Sequence, residues 1–310
     1  MPPSPLLRRT MSNPLPLHGT YTALATPIAD RDVDYASLER LVQTQVQANL
    51  EGVVAVGTTG ESPTLSHAEH SEVVRKTVEF AKGSATLVVA GSGSNSTREA
   101  ERLSKEAQDA GADALLLVAP YYNKPSQEGL FMHFSRVAAA VEIPIILYSI
   151  PGRCGIDIGV DTCARLYEKF PHVRAIKEAG GSCERVSQLR QKLGSEYTVL
   201  SGDDSLTLPF MSVGAQGVIS VASNVIPAQV KQMVDTALHN DFKTATHLHG
   251  QHYPLFTTLF IESNPVPVKA VLKEMGIITD EQVRLPLAPL TDASRQVLLG
   301  VTKQLGITNN

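Results

Sequence analysis

Lys177 ends a short apolar run, Val173-Arg174-Ala175-Ile176-Lys177, and Glu178-Ala179-Gly180-Gly181 follows it as a turn. A lysine amine taken out of water at a strand end loses proton affinity, because burial disfavours its charged form. The neutral amine attacks carbonyl carbon and forms Schiff bases. Tyr148 closes another apolar run and supplies a phenol that can carry protons while a carbinolamine collapses. Thr58 and Thr59 lie in the Gly-flanked turn Gly57-Thr58-Thr59-Gly60-Glu61-Ser62, which offers hydroxyls and backbone N–H groups to a carboxylate. Arg153, in Pro151-Gly152-Arg153, presents a planar fork suited to a second carboxylate. The joint chemistry is that of a class I aldolase. A 2-oxo acid becomes an iminium on Lys177, its neighbouring carbon loses a proton, and that carbon turns nucleophilic.

These groups act together only if the chain carries them to one place. Eight short apolar runs recur: Tyr21–Ala25, Val53–Val56, Thr86–Ala90, Ala114–Val118, Ile145–Tyr148, Val173–Lys177, Thr198–Ser201 and Val218–Val221. They are nearly continuous rather than alternating, as in strands buried on both faces of a parallel sheet. Helical patterns separate them: Asp34–Asn49, a helix to Ala81 opened by the capping box Ser66-His67-Ala68-Glu69, one capped by Thr97 and ended at Gly111, then Glu128–Val141, Asp161–Phe170, Glu184–Leu193, Asp204–Met211 and Pro227–His239. Eight strands alternating with eight helices in roughly 225 residues predict an α/β (β/α)8 TIM barrel. The rival, an open doubly wound sheet, lacks its Gly-x-Gly-x-x-Gly signature here. On a barrel, the Gly57–Ser62 turn, Pro120-Tyr121-Tyr122-Asn123, Tyr148, Arg153, Lys177 and Gly202-Asp203-Asp204 all fall at the carboxyl rim, the face where barrel enzymes work.

The predicted division is a disordered tail over residues 1–17, a catalytic barrel over 18–240 and a helical domain over 241–310 with patterns at Phe242–Leu259, Val266–Met275 and Asp292–Leu305. Met11 is an alternative start within the Pro-rich tail, which lacks the apolar core of a signal peptide. Of the 310 residues, 43% are hydrophobic and 19% charged, and the net charge of -4 gives no support to nucleic-acid or anionic-membrane binding. No stretch approaches the ~20 apolar residues a membrane span requires. Three cysteines, Cys154, Cys163 and Cys183, with no Cys-x-x-Cys, fit a reducing cytoplasm and argue against a zinc site. His247, His249 and His252 do not share one helix face, so they are expected to pack or to face solvent rather than hold a metal.

Gly57-Thr58-Thr59-Gly60-Glu61-Ser62, Pro120-Tyr121-Tyr122-Asn123-Lys124-Pro125, Tyr148-Ser149-Ile150-Pro151-Gly152-Arg153 and Ile176-Lys177-Glu178 resemble the motifs of the dihydrodipicolinate synthase / N-acetylneuraminate lyase family, over about Gly19 to Gly306. The resemblance implies a barrel with a C-terminal helical domain, a homotetramer, and a pyruvate Schiff base formed without metal or organic cofactor. It implies Lys177 as the Schiff-base lysine and Tyr148, Thr58 and Tyr122 as a proton relay, Tyr122 reaching into a neighbouring subunit's site. It further implies Thr59 as a ligand of the pyruvate carboxylate, Ile219 as a residue whose backbone lies near Lys177, and Gly202 beside the substrate. Arg153 points to the branch that binds L-aspartate-4-semialdehyde and makes 4-hydroxy-tetrahydrodipicolinate at the first committed step of lysine biosynthesis. A sibling aldolase or lyase acting on a sugar acid is the alternative. Cys154 stands where Thr or Ser is usual, which bears on how Arg153 is placed. Ser62, His67, His70, Asn95, Glu99 and Tyr121 match the residues that bind L-lysine as a feedback effector.

Overall fold

The computed structural model describes Leu15 and residues 17–308. Its centre is a closed parallel barrel of eight strands: β1 (Gly19–Ala23), β2 (Gly52–Ala55), β3 (Leu87–Gly91), β4 (Ala114–Val118), β5 (Ile145–Ser149), β6 (Val173–Glu178), β7 (Thr198–Ser201) and β8 (Gly217–Ser220). Each strand pairs with its neighbours in sequence, and β1 pairs with both β2 and β8 to close the ring. All residues of β1, β2, β3, β5, β7 and β8 are buried, since one side of each strand meets the barrel interior and the other the helices. Around the barrel run α1 (Tyr35–Gln47), α2 (His67–Ala81), α3 (Thr97–Asp109), α4 (Gln127–Ala138), α5 (Val160–Lys169), α6 (Cys183–Leu193), α7 (Thr207–Ser212) and α8 (Pro227–Leu238). The helical segment beyond contains α9 (Phe242–Thr258), α10 (Val266–Glu274) and α11 (Asp292–Gln304).

The predicted architecture holds, with shifts at its edges. β1 runs from Gly19 to Ala23 instead of Tyr21 to Ala25. Beyond it the Asn224 side chain takes over as partner, donating to the Ala23 carbonyl at 2.8 Å and accepting from the Ala25 amide at 3.1 Å. The capping box is formed: the Ser66 hydroxyl accepts from the Glu69 amide and the Glu69 carboxylate from the Ser66 amide. Thr97 does not cap α3; it is the first helical residue, and its hydroxyl meets His133 Nδ1 at 2.9 Å. Nor does Asp204 open α7, which begins at Thr207, because its buried carboxylate is bound across to the end of β8.

The seam between β1 and β8 depends on two glycines. Gly19 pairs with Gly217, whose φ is +146°, and a Cβ on Gly217 would sit 2.0 Å from the Gly19 carbonyl oxygen. Only glycine permits that approach and that backbone. Within α9, His249 and His252 lie against Phe256 with ring centroids 5.8 and 6.4 Å away, and His247 is exposed. The expected disordered tail falls outside the described residues except for Leu15 and Leu17, and Leu17 is already buried in the core. Among the described residues no helix is long and apolar enough to cross a membrane.

Candidate active site

β5 and β6 place Tyr148 and Lys177 as direct partners across the sheet. Successive residues of a strand point to opposite faces. Accordingly Glu178 turns the other way and is fully buried, where it accepts from Arg185 Nε at 2.6 Å and from the Gly180 amide at 2.7 Å. Lys177 is 6% exposed, with Nζ 4.4 Å from the centroid of the Tyr148 ring. Burial lowers its amine from the ordinary 10.5 to about 8; the Asp204 and Asp203 carboxylates oppose this drop and the Arg153 cation adds to it. Gly202 borders the lysine stem, and a Cβ there would meet Lys177 Cε at 3.1 Å and Ala179 Cβ at 2.7 Å. Ile219 is fully buried in β8.

Burial pushes the Tyr148 phenol up to about 12, partly offset by the Arg153 charge and a side-chain hydrogen bond with Thr58. Thr58 and Tyr148 are thus brought together at the rim. Tyr122 is not brought to them within this chain: it is 89% exposed, with a left-handed φ of +73°. Arg153 sits exposed on a single helical turn, Pro151–Cys154. Cys154 is buried and its Sγ lies 3.2 Å from the Ala119 carbonyl, a contact a hydroxyl could also make. Burial raises that thiol to about 11, so it stays protonated near neutrality.

Three further features support the rim: Asp204, placed there by the sequence without a role, and two contacts that the sequence does not by itself indicate. Asp204 is buried, and its Oδ1 accepts from Ser220 Oγ at 2.5 Å while its Oδ2 accepts from the Val221 and Ala222 amides at 3.0 and 2.9 Å. Asn264 Nδ2 donates to the buried Thr59 hydroxyl at 2.9 Å. Glu61 pairs with Lys269. The one sequence signal for the last was a lysine inside the apolar run Val266–Leu272, an uncommon composition for a solvated face.

The residues matched to an effector site divide. At the start of α2, exposed His67 meets Glu99 at 2.7 Å, and the other Glu99 oxygen accepts from Ser94 Oγ at 2.5 Å. The Ser94 bond, then the His67 contact, hold the Glu99 carboxyl below its usual range despite partial burial. His70 is buried instead, with Nε2 2.9 Å from the Gly91 carbonyl, and burial lowers its affinity for a proton. Ser62 begins a 3-10 turn, the Asn95 carbonyl accepts from Asn123 Nδ2 at 2.9 Å, and Tyr121 is partly exposed. An open cleft of about 700 Å³ is lined by His67, Glu99, Arg98, Arg102 and neighbours.

The fold and this rim define a parallel (β/α)8 barrel with a buried lysine of weakened basicity, backed by a phenol, at the face where barrel enzymes work. The chain belongs to the dihydrodipicolinate synthetase family, whose model matches residues 16–305. It is similar to the solved 4-hydroxy-tetrahydrodipicolinate synthase of Methylacidiphilum fumariolicum SolV, with 52% identity and a TM-score of 0.92 over 94% of this chain and 96% of that one. The dihydrodipicolinate synthase of Acinetobacter baumannii, solved with pyruvate, is 44% identical with a TM-score of 0.91 over 94% of this chain and all of the other. That of Cyanidioschyzon merolae, solved with lysine bound, is 37% identical with a TM-score of 0.90 over 94% and 98%.

Proposed function

We infer that this chain condenses pyruvate with L-aspartate-4-semialdehyde to give 4-hydroxy-tetrahydrodipicolinate, by way of a Schiff base on Lys177. The observation that carries the reading is the Lys177 amine, buried against the Tyr148 ring and lowered to about 8. Neutral Nζ attacks C2 of pyruvate, and the carbinolamine loses water to an iminium. Tyr148, hydrogen-bonded to Thr58, moves the protons of these steps. Loss of a proton from C3 gives an enamine, whose C3 adds to the aldehyde carbon. The amine of the second substrate then adds to C2, closes the six-membered ring and expels Lys177. Thr59, with the Thr58–Thr59 backbone, takes the pyruvate carboxylate, and Arg153 takes the carboxylate of the aldehyde. Gly202 leaves room beside the lysine, and Ile219 presents its backbone to the same space. An arginine placed for a second substrate carboxylate favours this reaction over sugar-acid cleavage.

The experiment is borohydride reduction in the presence of pyruvate followed by mass mapping. The parent should gain one pyruvate-derived adduct on the peptide holding Lys177, and Lys177→Ala should gain none. An unlabelled parent would end the proposal.

Tyr122 completes the relay of a neighbouring copy, which makes the working unit a homo-oligomer, a tetramer in this reading. Its exposure on its own chain supports that placement. Ser62, His67, His70, Asn95, Glu99 and Tyr121 form the site for L-lysine, where the lowered Glu99 carboxylate suits an ammonium group. Added L-lysine in the millimolar range or below should slow turnover, and a flat titration would remove the effector site alone. The three cysteines, all free, fit a cytoplasmic setting.

A further inference from the structure

The turn that carries Thr58 and Thr59 is gripped from the helical segment at two points only a few residues apart in sequence. Asn264, just before α10, holds the Thr59 hydroxyl at 2.9 Å. Lys269, within α10, donates to Glu61 Oε1 at 2.7 Å, and both side chains of this pair are essentially without solvent contact. The remaining Glu61 oxygen accepts from the Arg284 amide at 3.0 Å, and Lys269 Nζ also donates to the Gln282 carbonyl. Burial pulls the lysine's proton affinity down while the Glu61 charge restores part of it. Each charge is therefore tolerated in this dry seam only because the other is there.

The pair acts on the turn through the backbone. Glu61 has a left-handed φ of +53°, uncommon for a residue other than glycine. Its amide donates to the Thr58 carbonyl at 3.1 Å, and the Gly60 amide donates to the Gly57 carbonyl at 3.1 Å. Gly60 packs closely on the residue that follows β2, where a Cβ would lie 2.9 Å from Val56 Cα. Fixing the Glu61 carboxylate thus fixes the peptide planes of Thr58 and Thr59, whose N–H and hydroxyl groups face the substrate in the function proposed above.

We propose that the Glu61–Lys269 ion pair is a positioning device for the 2-oxo acid, setting the Thr58–Thr59 turn to receive its carboxylate from a domain that touches no substrate. The inference rests on the assignment of Thr59 as the carboxylate ligand. Two full-length variants test it, Lys269→Met and the double variant Glu61→Gln/Lys269→Met. The single variant leaves a carboxylate buried without its cation and is expected to unfold at lower denaturant. The double variant leaves no unpaired charge and should fold with an unfolding midpoint near the parent's. In it the KM for pyruvate should rise by roughly tenfold or more, while kcat at saturating pyruvate falls by less than about threefold and the KM for the aldehyde stays within about twofold. A double variant that keeps the parent's pyruvate KM would show that the pair merely fastens two parts of the fold, and so would a parallel loss in all three parameters. Borohydride trapping of the parent runs alongside. No adduct in the parent overturns the proposed function, whereas a normal adduct with an unchanged variant KM overturns the positioning role only.

Discussion

At the level of single residues, the decisive quantity is how often Lys177 is neutral. At pH 7.5 an amine of ordinary basicity, 10.5, is free in about one molecule in a thousand, and one lowered to about 8 is free in about one in four. In the proposed reaction the deprotonated amine is the nucleophile, so the rate of pyruvate capture should climb with pH and level off near 8. Rapid-quench borohydride trapping from pH 6 to 10 measures this; a rate still rising tenfold per unit above pH 9 would contradict the burial argument. In Arg153→Ala the break should move upward, because a cation that disfavours ammonium has been removed. Lys177 was legible in the sequence because the apolar run before it fixes a strand, and a strand end fixes a direction. The Glu61–Lys269 pairing is not, since its members lie about two hundred positions apart and the only local trace is a lysine set in the apolar run Val266–Leu272. Asp204 reads correctly as a rim residue but not as the start of a helix, because its partners lie at and just past the end of the next strand.

Among the elements, the eight apolar runs named the strands to within a residue or two, because double-sided burial writes itself as uninterrupted Val, Ile, Leu and Ala. The ends were less legible: whether a strand stops is decided by which partner takes the next amide, as Asn224 does for Ala25. The antiparallel pair Ile28–Ala29 with Asp32–Val33 is too short to show any periodicity. Closure of the ring falls on Gly19 and Gly217, where no side chain fits. Gly217→Ala should therefore lose more than about 2 kcal/mol of stability, from a strained backbone together with a steric clash. Urea unfolding followed by far-ultraviolet circular dichroism would measure it, and a midpoint equal to the parent's would mean that the seam is not closed by contact.

For the molecule as a whole, the barrel supplies the amine, the phenol and the Thr58–Thr59 turn, and the helical segment reaches the same turn through Asn264 and Lys269. Loss of that segment should then be felt in pyruvate handling, even though none of its residues carries the reaction. Sharing between copies has its own test. Tyr122→Phe and Lys177→Ala, each nearly inactive alone, should recover a measurable part of the parent's turnover after mixed refolding, since some sites regain both an intact lysine and an intact phenol. Mixtures no better than their components would place Tyr122 outside the relay. A phenol that its own chain leaves nearly nine-tenths in solvent has a further implication. In the proposed assembly turnover per molecule becomes a matter of concentration: diluted far enough, a perfectly folded population would fall silent, and would recover on being crowded together again.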